Sequence, residues 1–196
     1  MAIVRKEIKQ AAKGQLKGKF WLVLGVILVN SIILGTSSAT FIGPLVLGGP
    51  LALGLSIFLL NVVRNNDPKF ANLFEGFNNF TNSLIAYLLI GLKVILWSLA
   101  LMVPGIIKSL ALSQTFYVMR DNPNIKPQEA MKMSEQMMKG HKWEYFVLGL
   151  SFFWWFVLCG ITFSIAYIYL APYMSLTYAN FYEKLKMENP VAPANS

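Results

Sequence analysis

FWLVLGVILVNSIILGTSSATFIGPLVLGGPLALGLSIFLLNVV, residues 20–63, carries no charge anywhere between Lys19 and Arg64. That is about twice the roughly 20 residues one helix needs to cross the hydrocarbon core of a bilayer. It therefore reads as two helices joined by the Gly/Ser/Thr turn near its middle, a hairpin. A second uncharged run lies between Glu144 and Glu183, and a third block, 76–119, is interrupted only by Lys93 and Lys108 and breaks at Val103-Pro104-Gly105. Strands of a membrane barrel would alternate in polarity, and these blocks do not. Helices satisfy every backbone N–H and C=O internally, which hydrocarbon demands.

The composition agrees, with 56% hydrophobic and 13% charged residues, where a soluble domain carries roughly a quarter charged. The fold class expected is all-α: a polytopic membrane helical bundle of about six transmembrane helices in three successive hairpins, plus cytoplasmic amphipathic helices. Within 1–196, read as one integral membrane domain, the crossings fall near 20–36, 44–62, 83–101, 104–119, 145–159 and 163–181. The hairpins are 20–63, 76–119 and 145–182, the connections are 64–75 and 120–144, and the tail is 183–196. Pro44, Pro50, Pro104 and Pro172 are expected at or near helix starts, where a missing N–H costs least.

Orientation follows from the basic residues, which gather on cytoplasmic loops. Apart from Lys93 and Lys108, all 17 Lys and Arg lie before residue 20, in 64–75, in 120–144 or after 182. Both ends are thus expected in the cytoplasm. The first apolar run fits an uncleaved helix better than a leader removed near Ser37-Ser38-Ala39. A single cysteine, Cys159, excludes an internal disulfide or a cysteine metal cluster.

The chain also echoes itself. Pro50 to Asn66-Asp67-Pro68, Pro104 to Asp121-Asn122-Pro123 and Pro172 to Glu188-Asn189-Pro190 have proline spacings of 18, 19 and 18, and Leu16-Lys17-Gly18-Lys19-Phe20-Trp21 resembles Met138-Lys139-Gly140-His141-Lys142-Trp143. Each hairpin is led by a segment with helical apolar spacing: Val4, Ile8, Ala12, Leu16; then Phe70, Phe74, Phe77, Phe80; then Met131, Met133, Met137, Met138. Such basic amphipathic helices suit the anionic leaflet, with Lys13, Lys17, Lys19, Lys139 and Lys142 as membrane-surface contacts. The methionine and phenylalanine faces could instead dock a membrane protein partner. The +8 charge is spread along these anchors with no recognition motif, so nucleic acid is not an expected partner.

Ionisable residues inside a crossing are costly and mark function. Lys93 and Lys108, with free N–H groups at the Pro104-Gly105 turn, form the candidate anion- or lipid-binding site: Lys93, Lys108 and Gly105. Lys108 is expected to snorkel to the outer interface. No metal, cofactor or catalytic set is expected, because the crossings hold no carboxylate or histidine and the only histidine, His141, sits among lysines. Three functional classes follow: binding or moving an anionic lipid or other amphipathic molecule, serving as a non-catalytic accessory or scaffold, and acting as a small transporter or channel.

Leu96-Trp97-Ser98-Leu99, Val103-Pro104-Gly105-Ile106-Ile107-Lys108, Asp121-Asn122-Pro123, Met138-Lys139-Gly140-His141-Lys142-Trp143, Leu150-Ser151-Phe152 and Ala171-Pro172-Tyr173 together resemble an uncharacterised bacterial membrane family, the domain of unknown function 975. It departs at Leu112-Ser113-Gln114, where Tyr-Ser-Met is usual, and at Phe153-Trp154-Trp155, where a Gly-Trp step is usual. The resemblance implies a multi-helix protein of the bacterial cell membrane and brings no activity.

Overall fold

The computed structural model describes residues 5–37, 42–153, 155 and 165–188. Among these residues the chain is all-α, with no strand. In order come α1 (Arg5–Leu16), α2 (Phe20–Ser37), α3 (Ile42–Val63), α4 (Asn72–Glu75), a 3-10 turn (Gly76–Asn79), α5 (Phe80–Ala100), α6 (Met102–Leu112), α7 (Thr115–Asp121), α8 (Pro127–Met137), α9 (Lys142–Leu150) and α10 (Ile165–Glu188). Among the described residues three helices are long and apolar enough to cross a membrane: α2, α3 and the run that ends in α5.

α3 is the hub, packing on α2, α5, α7 and α10. Its own sequence permits this, because small residues let backbones approach. A Cβ on Gly49 would overlap the Ser83 backbone, one on Gly54 the Leu73 carbonyl, and one on Gly48 the Tyr87 ring. The glycines therefore serve packing within the chain. By contrast only 11% of the α5 window is buried against 67% of α3, so α5 offers most of its apolar surface to the surroundings.

Several expectations need correcting. Pro50 and Pro172 lie inside α3 and α10 and not at their starts; an apolar helix can continue through proline when neighbouring helices and local adjustment satisfy the freed groups. The fourth apolar segment is two helices, because the chain breaks at Ser113-Gln114. α6 has 11 residues, roughly 16 Å, about half of a bilayer core. The fifth segment is described only as far as α9 and its next few residues, and Cys159 lies outside the described residues. α1 does not lie with a free apolar face: Ile8, Ala12 and Leu16 are buried, and α1 packs along α10. In α8 the methionine face is likewise spent, with Met131, Met137 and Met138 buried in the protein.

The echoes have a structural cause. Gly18 and Gly140 both take left-handed backbone (φ 85° and 91°), the conformation that stops a helix after its last turn. Each stop is followed by a new helix bearing an exposed tryptophan, Trp21 or Trp143. The C-terminal ends of α3, α7 and α10 converge on one ionic cluster. Arg64 donates to both carboxylate oxygens of Asp121 at 2.7 and 2.8 Å and to Glu183 at 2.8 Å. Lys186 and Tyr182 donate to the same Asp121 at 2.5 and 3.1 Å. Arg120 donates to Asn61 on α3 at 3.0 Å, and α1 is tied in by Lys184–Glu7 and a Gln15–Asn180 amide pair. Burial opposes the Asp121 charge, but hydrogen bonds from Arg64 and Lys186 outweigh it and hold the carboxyl down at about 2. The hydrogen bond to Asp121 in turn holds the Arg64 guanidinium above its ordinary value.

Candidate functional site

The site begins with a helix break. α5 ends and α6 begins around one extended residue, Leu101 (φ −162°, ψ 140°), so α6 folds straight back along α5. Pro104 is tolerated in the first turn of α6, where no helical partner is lost. Gly105 permits the close approach, since any Cβ there would overlap Ser98. Its N–H bonds to the Leu101 carbonyl at 3.3 Å. Gly105 thus acts by packing the hairpin, and its N–H is not free for an anion.

At the far end of α6 the ladder fails at Ser113-Gln114, and α8 repairs it. Ser134, fully buried, donates to the Ala111 carbonyl at 2.7 Å and accepts the Gln114 N–H at 3.2 Å. This pins α8 against α6, and the next residue, Glu135, meets Lys108 at 2.8 Å. Lys108, expected to reach out of the protein by snorkelling, therefore turns instead toward α8. The physical reason is that α6 is short and α8 packs back beside it, bringing a carboxylate within reach.

Between the α5–α6 hairpin, α8 and the start of α9 lies a cleft of about 530 Å³. Its floor is apolar: Trp97 from α5 and Pro104, Ile107 and Ala111 from one face of α6. Its rim is cationic, formed by Lys108, Lys132, Lys139 and Lys142, with Glu135 and Gln136 between them. Lys132, Glu135, Gln136 and Lys139 fall at helical spacings of three and four along this stretch of the chain, which is why they share a wall. Four ammonium groups face one carboxylate, and Glu135 already engages Lys108. Among the described residues Lys132, Lys139 and Lys142 make no ion pair. The cleft abuts the hairpin tip, where Leu99, Leu101, Met102 and Val103 are all exposed.

Of the residues singled out from sequence, the cleft brings together Lys108, Lys139 and Lys142. Lys93 does not line it but stands one turn before Trp97 on the same face of α5, half-buried. Lys13, Lys17 and Lys19 belong to α1 and its turn and do not join it; Lys13 sits over the Tyr173 ring and Lys19 donates to Asn65. Trp97, Lys132, Glu135 and Gln136 escaped the sequence reading. The polar stripe of α8 was available as a signal, hidden behind its methionines.

A second, smaller recess of about 280 Å³ lies between α2, α3 and α10, and no charged residue among the described ones lines it. Asn30 points a buried Oδ1 there without a hydrogen-bond partner among the described residues. No group of three or more His, Cys, Asp or Glu able to hold a metal occurs among the described residues.

Comparison with known families places this architecture. The profile of DUF975, a family described as protein of unknown function, matches residues 1–108 and 99–189. The chain belongs to the DUF975 family. No curated protein and no solved structure matches it. The two matched stretches of this DUF975 protein together include every helix described above and all of the cleft.

Proposed function

We propose that this DUF975 protein is a multi-pass protein of the bacterial cell membrane that binds an anionic amphiphile in the cleft between α5, α6, α8 and α9, without catalysing its conversion. The observation that carries the reading is the surplus of ammonium groups over an apolar floor. A lysine rim holds a headgroup phosphate as point charges, and an apolar floor continuous with an exposed apolar hairpin takes the adjoining chain. In this reading the basic ends, including the α3–α7–α10 cluster, face the cytoplasm, and the fourth apolar segment is broken between α6 and α7. A broken helix is a common place to hold or pass a ligand. The scaffold alternative loses one of its two docking faces, because the α8 methionines are core residues. The transporter alternative is supported by the uncharged Asn30 recess.

Native mass spectrometry of gently solubilised protein tests the reading. Wild type should retain anionic lipid in preference to zwitterionic lipid, and Lys108→Leu and Lys139→Leu should retain less. Equal carry-over of all lipids in the three proteins would reject the site.

A further inference from the structure

From the same cleft we infer a narrower ligand class: it is built for an amphiphile whose headgroup is a phosphate monoester, in preference to a diester. This rests on the amphiphile reading of the cleft and adds to it the charge that the ligand must bring.

The argument is one of unbalanced charge. Glu135 is spent on Lys108 at 2.8 Å, which leaves Lys132, Lys139 and Lys142 facing the same space without a carboxylate partner among the described residues. Three like charges around one cleft repel, and nothing in the packing requires them there: Lys132 and Lys139 are exposed, and Lys142 is half-buried. A diester headgroup supplies a single negative charge, whereas a monoester carries about 1.5 to 2 at neutral pH with three strong acceptor oxygens. The monoester comes closer to balancing the three free ammonium groups. Gln136, on the same wall between Glu135 and Lys139, offers an amide donor to a further oxygen. The floor of Trp97, Pro104 and Ile107 offers apolar contact to the chain that adjoins the headgroup. A free phosphate would meet the rim but leave the floor unused; a lipid monoester meets both.

The test uses the full-length protein in nanodiscs of zwitterionic lipid, doped in turn with phosphatidic acid and phosphatidylglycerol at equal mole fraction, with inorganic phosphate in solution as a third arm. Retention is read by native mass spectrometry. Phosphatidic acid should be favoured over phosphatidylglycerol by roughly tenfold, the worth of about one more charge contact near a protein surface. That preference should grow from about pH 5 to about pH 8, because a monoester gains its second charge near pH 6. The triple variant Lys132→Gln, Lys139→Gln, Lys142→Gln should lose the preference, and all three sites are open enough for the fold to survive. Glu135→Gln, which frees Lys108, should raise the affinity for both anionic lipids and keep the preference for phosphatidic acid. Equal retention of the two anionic lipids over the zwitterionic host, at every pH, overturns the monoester inference and leaves the anionic-amphiphile reading standing. No retention of either overturns both. Competition by inorganic phosphate as effective as phosphatidic acid would show a soluble phosphate site and overturn the lipid assignment.

Discussion

Two charged regions of this molecule use the same residue types in opposite ways. At the ends of α3, α7 and α10, Arg64 and Lys186 close on Asp121, Arg64 also reaches Glu183, and Tyr182 fills a remaining lone pair. In the cleft beside α6, four lysines share one glutamate. In the first region both carboxylates meet their cations, which makes it the complete one, so its charges hold helices together. The second has more cations than its one carboxylate pairs, and the proposed anionic ligand would supply the difference. Pairing, more than the presence of lysine or arginine, separates a structural cluster from a binding one.

The sharpest way to break that contrast is to remove the hub of the complete region. Asp121→Asn leaves Arg64 and Lys186 without their shared carboxylate, and its cost should be roughly 3 kcal/mol, as for a broken buried pair. Thermal unfolding in detergent measures it. A loss under about 0.5 kcal/mol would show that the cluster is decorative. Next in size, Gly54→Ala should destabilise by about 2 kcal/mol, because its methyl would overlap the Leu73 carbonyl and the α3 contact must open.

Acid should act on the complete region. The Asp121 carboxyl is held at about 2, below its ordinary 3.8, so the unfolded chain takes up its proton first as pH falls. Stability from this group is present in full above the ordinary value and is lost between about pH 4 and about pH 2, amounting to about 2 kcal/mol. Wild type should show this loss and Asp121→Asn should not. The smallest effect on stability belongs to the incomplete region. Replacing Lys132, Lys139 and Lys142 together by Gln should shift unfolding by less than about 0.5 kcal/mol, while removing anionic lipid. A large destabilisation would mean that these lysines do hold the fold.

The all-α class and α2, α3 and the body of α5 were legible because long uncharged runs admit few other structures. The matched Lys-Gly strings at 17–18 and 139–140 were legible as an echo, though not as the helix stops that their left-handed glycines make them. The break at Ser113-Gln114 was not, because hydropathy is continuous across it and the hydrogen bonds that stabilise it come from Ser134, 20 residues away. For the same reason Lys108 looked bound for solvent; its partner Glu135 lies on another helix, and no local pattern couples them. The apolar faces of α1 and α8 read as membrane-seeking because sequence periodicity shows that a face will be buried without saying what buries it. Here α10 covers the first, and the protein core the second.

The most direct test of the central claim is the stability of wild type and the Lys132/Lys139/Lys142→Gln triple variant with and without a short-chain anionic amphiphile. A ligand that binds only the folded state raises stability by mass action, about 2.7 kcal/mol at a hundredfold excess over Kd. Wild type should gain on this scale while the triple variant gains nothing, both starting from the same baseline. Equal gains in the two proteins would contradict the assignment of the ligand to the lysine-rimmed cleft.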